Sequence, residues 1–311
     1  MRKRLRLGSR ASILAQRQAD LVKDLLNSHG HHHFQDFLEI EIVLFKTSGD
    51  LIQNGNLQEY GGKGLFTKEI EEALSQGEID LAVHSMKDVA SVVPEGLIFP
   101  CFLPREDPHD VFISKTGVRF DDLPQGAILG TSSLRRKLQA LHRRPDLNVV
   151  SFRGNVDTRL RKVREGLVDG TFLALAGLRR LGLQETIVET LSPKIMLPAM
   201  TQGVIGIQCQ ENNIELYNFL RGLTHHPTEI CVRAERAFAK TVSGTCNTPI
   251  AGFAEIKGEK LILEALIISL DGQKIERRIL EGSFEDAEKM GIEIGEQLKP
   301  ILEGWMTCVS S

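Results

Sequence analysis

Residues 127–183 decide the fold, because short apolar runs alternate there with longer amphipathic ones. AILGTS (127–132), NVVSF (148–152) and the start of TFLALAGLRRLGL (171–183) have the length and composition of buried strands. LRRKLQALHRR (134–144) and VDTRLRKVREGL (156–167) lie between them and carry apolar residues at helical spacing. A strand–helix alternation of this kind predicts α/β architecture with a mainly parallel sheet.

The N-terminal region has the same alternation. It contains, in order, RLRLGS (4–9), SILAQRQADLVKDLL (12–26), EIEIVLFKT (39–47), GLFTKEIEEALSQG (64–77) and IDLAVHS (79–85). The first, third and fifth segments resemble strands, and the other two have helical periodicity. We therefore expect α/β architecture over the first two-thirds of the chain.

The last third has a different pattern. A helical segment, PTEICVRAERAFAKTV (227–242), precedes three β-rich runs at 250–257, 260–270 and 273–282. Asp271-Gly272 separates the last two runs, and this dipeptide is typical of a hairpin turn. With a final amphipathic helix over 284–302, the pattern predicts a separate α+β module.

Composition limits the class of protein. The chain has 311 residues, 41% of them hydrophobic and 25% charged, and a net charge of −3. These values exclude a disordered or collagen-like chain, and no run approaches 18 consecutive apolar residues. The N-terminus is basic but lacks the apolar core of a secretory signal. Five cysteines without a CxxC pair indicate free thiols in a reducing, cytoplasmic setting, with no metal site expected.

Positive charge is concentrated in residues 131–180, which hold twelve Lys and Arg against four Asp and Glu. Arg161 and Glu165 form an opposite-charge pair at helical i,i+4 spacing, and the other eleven basic residues are not obviously paired in this way. One interpretation is a solvated basic face. The alternative is a binding surface for an anionic ligand.

The position of the arginines favours the second interpretation. They recur in glycine- and serine-containing loops that follow strands and begin helices: Gly8–Arg10, Gly130–Arg136, Arg153–Asn155 and Ala176–Arg180, with Gly61–Gly64 before a further helix. In parallel α/β sheets, ligands bind at the carboxyl ends of strands, where helix N-termini and Arg side chains attract carboxylate or phosphate. Several such loops predict a ligand with many negative groups, and none matches a P-loop or dinucleotide motif.

Two further segments carry chemically reactive groups. Asp88 ends AVHSMKD (82–88) at a predicted strand tip, where it could be a surface ion-pair partner of Lys87 or a catalytic carboxylate. Cys246 lies in SGTCNTP (243–249), a turn of small polar residues, and could be an incidental thiol or a reactive one.

Taken together, these segments resemble the porphobilinogen deaminase family from Arg6 to about Glu255. The motifs that carry the resemblance are GGKGLF (61–66), HSMKD (84–88), REDP (105–108), GTSSLRR (130–136), RRPDL (143–147), RGN (153–155), AGLRRLGL (176–183) and the Cys246 loop. The resemblance implies two periplasmic-binding-protein-like α/β domains plus a C-terminal α+β domain with a three-stranded antiparallel sheet. The implied domains are 1–103 with 202–221, then 104–201, then 222–311.

The resemblance also implies the chemistry. Four porphobilinogen molecules are joined head to tail with loss of ammonia, giving the linear tetrapyrrole hydroxymethylbilane. The primer is a dipyrromethane cofactor, expected here as a thioether of Cys246. Each pyrrole carries two carboxylates, which would account for the arginine excess. No nucleic acid or membrane partner and a monomer are expected.

Roles follow from the motifs of the family. Asp88 is the expected catalytic residue, which stabilises the cation formed as ammonia leaves. The expected cofactor-binding residues are Lys87, Ser85, Thr131, Ser133, Arg135 and Arg136. The expected substrate-binding residues are Arg10, Arg153, Arg159, Arg180, Gln18 and Gln202. Lys63 and Phe66 are expected in a loop that closes over the site.

The chain departs from the family pattern at several positions. Thr245 and Thr201 stand where Gly is usual, Ala90 replaces a common Pro, and Gln208 and Gln210 replace Glu and Arg. None of these changes removes a charge expected to take part in the chemistry. The alternative function is a non-catalytic polyanion-binding module of the solute-receptor type. A nucleic-acid binder is disfavoured by the acidic net charge and by the single Trp and two Tyr.

Overall fold

The structure is a computed structural model that describes residues 3–34, 38–51, 64–243 and 248–307. The chain divides into two compact units. The first comprises Met1–Arg105 and Val204–Glu229, and the second comprises Glu106–Gly203 and Ile230–Ser311. The three-domain division implied by the resemblance stays a prediction.

The first unit is built on a mixed sheet. Its strands are β1 (Lys3–Arg10), β2 (Leu38–Phe45), β3 (Leu81–Ser85), β4 (Leu97–Phe102) and β10 (Ile205–Gln210). Their order is β2-β1-β3-β10-β4, in which β1 is parallel to β2 and β3, and β10 is antiparallel to both β3 and β4. Four strands therefore run in the same direction, as expected for a mainly parallel sheet, and the single antiparallel strand β10 makes the sheet mixed.

Helices cover both faces of this sheet. They are α1 (Ile13–Phe34), α2 (Ser48–Leu51), α3 (Lys68–Ser75) and α7 (Ile214–Arg221). One buried cluster joins alternate residues of β1 and β3, such as Leu7 and Val83, to Val22 and Leu26 of α1. The opposite cluster packs Ile70 and other residues of α3 against the second face. Two-sided coverage explains why the consecutive residues Leu81, Ala82 and Val83 of the central strand β3 are all apolar and buried.

The second unit contains another mixed sheet, with strands β5 (Asp110–Ser114), β6 (Ile128–Gly130), β7 (Asn148–Val150), β8 (Gly170–Ala174) and β9 (Glu189–Thr190). Their order is β7-β6-β8-β5-β9, with β6 parallel to β7 and β8, and β5 antiparallel to β8 and β9. The helices of this part are α4 (Leu134–Arg143), α5 (Val156–Arg164) and α6 (Leu175–Leu181).

The two five-stranded sheets share one topology. Each has three parallel strands in the order second, first, third, followed by an antiparallel strand and an outer strand. The antiparallel strand is the returning segment β10 in the first sheet and the entering segment β5 in the second.

The C-terminal part forms a three-stranded antiparallel sheet of β11 (Ile250–Lys257), β12 (Lys260–Ile268) and β13 (Ile275–Gly282). Helices α8 (His226–Thr241) and α9 (Ala287–Thr307) bury Phe238 and Ile294 against it. Gly272 has a φ of 73° in the turn before β13, which is the left-handed conformation that glycine adopts without strain. The predicted fold class is confirmed. Within the described ranges, the helices lack the combination of length and apolarity that a bilayer span requires.

Candidate active site

Asp88 and Arg10 lie close together at the carboxyl ends of two neighbouring strands of the first sheet. Arg10 is the last residue of β1, and Asp88 ends the 3₁₀ turn (Met86–Asp88) that follows β3. Because β1 and β3 are parallel neighbours, their carboxyl ends coincide and the two side chains lie together. Arg10 Nη1 is 3.6 Å from Asp88 Oδ2. The Asp88 side chain is 31% exposed, which leaves it accessible to a ligand.

Phe66 lies against the same arginine. The guanidinium carbon of Arg10 is 4.4 Å from the centre of the Phe66 ring, a cation–π distance. Gly49 packs on the other part of this ring, since a Cβ at residue 49 would lie 2.3 Å from Phe66 Cε1. The Gly49 amide also donates to the carbonyl of Leu65 at 2.8 Å. The backbone of α2 thus fixes the position of the Phe66 ring. Lys63 lies outside the described residues.

Gln18 and Ser85 hold each other in the first unit. Gln18 Nε2 donates to Ser85 Oγ at 2.8 Å, and Gln18 is buried on the inner face of α1. Ser85 ends β3 and immediately precedes the turn that carries Lys87 and Asp88. The structure therefore brings five predicted residues, Arg10, Gln18, Phe66, Ser85 and Asp88, to one region of the first unit.

In the second unit, two arginines converge on a carboxylate that was not predicted as a site residue. Arg135 and Arg136 occupy the first turn of α4, and both are buried. Arg136 Nη2 and Nε donate to Asp110 Oδ1 at 2.6 and 3.0 Å, and Arg135 Nη1 lies 2.7 Å from Asp110 Oδ2. Burial favours protonation of Asp110, but the charges of Arg135 and Arg136 outweigh it and hold its pKa well below the usual range.

A sequence signal for Asp110 does exist. It is an acid at the start of DVFIS (110–114), an otherwise apolar run whose residues are all buried. A buried carboxylate needs a cationic or hydrogen-bonding partner, so such a position predicts an internal ion pair. The partners, however, lie 25 and 26 residues further along the chain and cannot be identified from spacing.

The hydroxyls of Thr131 and Ser133 shape the start of α4. Ser133 is the N-cap residue, and its Oγ accepts the amide of Arg136 at 3.4 Å. Thr131 Oγ1 accepts the amide of Ser133 at 3.2 Å. Both side chains therefore satisfy backbone donors of the loop that positions the two arginines. Gln202 joins the same cluster, since its Nε2 donates to Pro108 O at 2.6 Å and to Asp110 Oδ1 at 3.2 Å.

The three other predicted substrate arginines follow strands of the second sheet. Arg153 comes after β7, and Lys162 Nζ donates to its carbonyl at 3.1 Å. Arg159 lies on α5, and its Nε donates to Gly154 O at 2.8 Å. Arg180 lies on α6 and donates to Gly203 O at 2.6 Å. These contacts help to fix the local position of each residue.

Several other basic residues of 131–180 are paired with acids distant in sequence. Arg143 binds Asp121 through two nitrogens at 2.6 and 2.7 Å, and Arg179 binds Glu106 at 2.8 Å. Helical i,i+4 spacing predicted the Arg161–Glu165 pair, which is present at 2.6 Å, but it did not predict these long-range pairs. Local helical spacing does not reveal pairs that the tertiary fold creates.

Cys246, the expected attachment residue, lies outside the described residues. The thiols of Cys101 and Cys209 are buried, and burial raises their pKa to about 12 and about 11 respectively. Both are therefore poor nucleophiles at neutral pH. In the described part of the chain, no group of three His, Cys, Asp or Glu side chains is arranged to hold a metal ion.

The arrangement suits recognition of an acidic ligand. The first unit presents a carboxylate, a guanidinium and an aromatic ring, and the second presents guanidinium groups supported by hydroxyls and an amide. In each unit these groups follow the carboxyl ends of parallel strands, as the sequence predicted. A carboxylate can stabilise a developing positive charge, and guanidinium groups can bind carboxylates through two nitrogens.

Comparison with known proteins gives a consistent result. Residues 5–218 match the family model described as "Porphobilinogen deaminase, dipyromethane cofactor binding domain", and residues 229–300 match "Porphobilinogen deaminase, C-terminal domain". The chloroplastic porphobilinogen deaminase of Pisum sativum is 48% identical over 298 residues, covering 94% of this chain and 80% of the relative. That of Syntrophotalea carbinolica is 47% identical over 294 residues, covering 94% and 92%.

Among solved structures, the VFT2 domain (double mutant F375E/Q461E) of Bordetella pertussis BvgS matches with a TM-score of 0.43 and 15% identity, covering 71% of this chain and 86% of that one. A TRAP periplasmic solute binding protein of Desulfovibrio salexigens matches with a TM-score of 0.45 and 13% identity, covering 72% and 73%. Both TM-scores are below 0.5, so neither solved structure supports an assignment of function to this chain. The sequence matches do: this chain belongs to the porphobilinogen deaminase family of enzymes, also called hydroxymethylbilane synthases.

Proposed function

We propose that the chain is the transferase that joins four porphobilinogen molecules head to tail into hydroxymethylbilane in tetrapyrrole biosynthesis. In each addition, the bond between the aminomethyl carbon and nitrogen of one substrate breaks and ammonia leaves. A carbon–carbon bond to the preceding pyrrole replaces it, and that pyrrole carbon loses a proton. After four additions, water releases the product. The observation that carries this proposal is the Asp88 carboxylate at the end of β3, held beside Arg10.

Asp88 is the proposed catalytic residue. Departure of ammonia leaves a positive charge shared between the substrate methylene carbon and the ring nitrogen. A fixed carboxylate stabilises that charge and accepts a hydrogen bond from the pyrrole N–H. Arg10 Nη1 lies 3.6 Å from Asp88 Oδ2 and keeps this carboxylate oriented. Arg10 also contacts Phe66, whose ring is the proposed stacking surface for a pyrrole.

The arginine cluster fits a dipyrromethane cofactor. Asp110 neutralises only one of the two charges of Arg135 and Arg136, so one positive charge remains for a cofactor carboxylate. Among the described residues, no acceptor contacts Nε or Nη2 of Arg135, whereas all three nitrogens of Arg136 are engaged by Asp110 and Phe172 O. Arg135 is therefore the direct carboxylate donor and Arg136 its support, together with Lys87, Ser85, Thr131 and Ser133. When bound, the cofactor supplies the terminal pyrrole carbon to which the first substrate is joined.

The remaining roles are parts of the same proposal. Arg10, Arg153, Arg159 and Arg180 bind substrate and chain carboxylates, and Gln18 and Gln202 position Ser85 and the Asp110 cluster. Cys246 holds the cofactor as a thioether, and Lys63 with Phe66 closes over the site. We also propose a cytoplasmic monomer that needs neither metal, nucleic acid nor membrane.

The proposal is tested with Asp88→Asn. Asparagine preserves size but removes the negative charge, so turnover of porphobilinogen, measured by ammonia release, should fall by about 10²–10³-fold. Asp20→Asn, an exposed acid of α1, is the matched control and should leave turnover unchanged. Near-normal turnover of the Asp88 variant would contradict the assigned role. Binding of porphobilinogen without ammonia release by the wild-type protein would favour the polyanion-binding alternative.

A further inference from the structure

A second basic cavity lies in the second unit, between the C-terminal half of α4, residues 194–195 and the start of β13. Its volume is about 330 Å³, at the lower end of the range of about 300–1,000 Å³ for small-molecule sites. Four basic side chains line it: His142, Arg143, Lys194 and Arg277. Ile195 and Ile275 supply an apolar part of the wall. None of the described residues assigned to the active site lines this cavity.

The charges in this cavity are only partly neutralised. Arg143 is paired with Asp121, and Arg277 Nη1 is 2.6 Å from Glu264 Oε1. Lys194 is exposed and, within the described part of the chain, has no carboxylate partner. Among the residues that the structure describes, no carboxylate lines the cavity itself. Lys194 therefore contributes a net positive charge to a site already surrounded by guanidinium donors.

Hydrogen bonds keep the cavity walls in place. Gln139 of α4 and Leu197 form a reciprocal pair, with Leu197 N donating to Gln139 Oε1 at 2.7 Å and Gln139 Nε2 donating to Leu197 O at 3.1 Å. On the opposite wall, Arg277 Nη2 donates to Pro193 O at 3.2 Å. The segment that carries Lys194 is thus bound to both neighbouring elements, and the site is formed before a ligand enters.

His142 contributes a polar group of known orientation. Its Nδ1 donates to Gly272 O at 3.1 Å, because a carbonyl oxygen can only accept. This contact ties the last turn of α4 to the turn before β13.

We propose that this cavity binds a small organic anion with two or more carboxylates on an apolar frame. Lys194 and the guanidinium groups would bind the carboxylates, and the isoleucines would contact the frame. A purely inorganic anion would leave the isoleucines without a partner. The inference does not depend on the proposed function, because it uses none of the active-site residues.

Calorimetric titration of the full-length protein with benzene-1,3,5-tricarboxylate tests the site. Lys194→Gln should weaken binding about five- to tenfold, since it removes the uncompensated charge. Lys115→Gln, an exposed lysine of the same unit outside the cavity, is the matched control and should bind as the wild type.

Four results would overturn the inference. Absence of binding to the wild type would exclude the site, and equal weakening by Lys194→Gln and Lys115→Gln would indicate diffuse charge attraction. Weakening by Arg153→Gln without an effect of Lys194→Gln would place the probe at the proposed substrate arginines instead. Inorganic phosphate that binds at Lys194 as tightly as the tricarboxylate would exclude the proposed ligand class.

Discussion

Asp110 neutralises one of two buried guanidinium charges and fixes the directions of both. Its carboxylate is fully buried, contacts Arg135 and Arg136 within 2.7 Å and also accepts from Gln202. Without it, two buried positive charges would face each other at the start of α4. Asp110 is therefore the residue on which the geometry of the proposed cofactor-binding arginines depends.

Asp110→Asn should lower the free energy of unfolding by about 3–5 kcal/mol at pH 7, because it removes one partner of a buried ion pair. The measurement is urea unfolding followed by circular dichroism. Asp121→Asn, which removes the partner of the half-exposed Arg143, is the control and should cost about 1 kcal/mol or less. Similar losses in both variants would contradict the special role of Asp110.

The contribution of Asp110 to the free energy of unfolding should depend on pH in one direction only. The folded-state pKa of Asp110 is depressed, so its contribution is complete above the unfolded-state pKa of about 3.9 and is lost as pH falls through the folded-state value. The stability difference between wild type and Asp110→Asn should therefore be constant from pH 5 to 7 and shrink below about pH 4. A difference that disappears near pH 6 would indicate another group.

Thr201 has a backbone conformation that disfavours its own side chain. Its φ is 58°, at a position where the family usually has Gly. The buried carboxylate of Glu235 holds this conformation by accepting the amide of Thr201, and its other oxygen accepts the amide of Ala254 at 2.7 Å. The contacts of Glu235 thus keep a residue in the left-handed region despite its Cβ.

Thr201→Gly should be more stable than Thr201→Ala by about 1 kcal/mol, since both remove the hydroxyl and only glycine relieves the positive φ. Thermal unfolding of the two variants, monitored side by side, gives the difference. A Thr201→Ala variant that is as stable as Thr201→Gly, or more stable, would contradict a left-handed backbone conformation at residue 201.

At the residue scale, sequence reasoning found groups that follow strands. Arg10, Asp88, Thr131 and Arg153 could be predicted because strand ends are visible in the hydrophobic pattern. Asp110 could not be assigned to a site because its partners come from another element. The same limit applies to the Gly49–Phe66 contact, which depends on the path of the backbone.

At the scale of elements, β10 connects the core of the first unit to the end of α3. Gln210 Nε2 donates to Leu74 O at 2.7 Å and to Ser75 O at 3.1 Å, so it satisfies carbonyls of the last helical turn. Gln208 Nε2 donates to Glu71 Oε1 at 3.2 Å, one turn earlier. The two glutamines that depart from the family pattern are therefore both contacts between β10 and α3.

Gln210→Ala should lower the free energy of unfolding by about 0.5–1.5 kcal/mol, because it removes these hydrogen bonds. Amide hydrogen exchange in the last turn of α3 should become faster. Gln210→Arg keeps donors and adds a positive charge at the helix C-terminus, so it should restore stability. An arginine variant as unstable as the alanine variant would show that capping is not the function of this side chain.

The direction of the strands explains which of them the sequence did not predict. The parallel strands β1, β3, β6 and β8 were visible as apolar runs before helical segments, and the hairpin before β13 was visible from Asp-Gly. The strands β5 and β10 were not predicted, and both run antiparallel within their sheets. A short buried run that lacks alternation has no signature for its direction or its neighbours, so the mixed character of the sheets could not be inferred.

At the scale of the whole molecule, the net charge of −3 conceals a strongly positive segment. Long-range pairs with Asp110, Asp121 and Glu106 neutralise part of that segment. The arginines that follow β7 and β8 remain the candidates for ligand carboxylates. The family could be recognised from ordered motifs, and the resemblance also implied that a returning segment completes the first domain. Composition and periodicity alone did not reveal this discontinuity, which the first unit shows.

The central claim is that this chain builds a tetrapyrrole on a cofactor attached through Cys246. Intact-protein mass spectrometry of the purified wild type tests it most directly. The account predicts a mass above that of the polypeptide by a two-ring pyrrole adduct, further increments of one ring after brief exposure to porphobilinogen, and no adduct on Cys246→Ser. A wild-type protein at the polypeptide mass that still converts porphobilinogen, or an adduct retained by Cys246→Ser, would contradict the account.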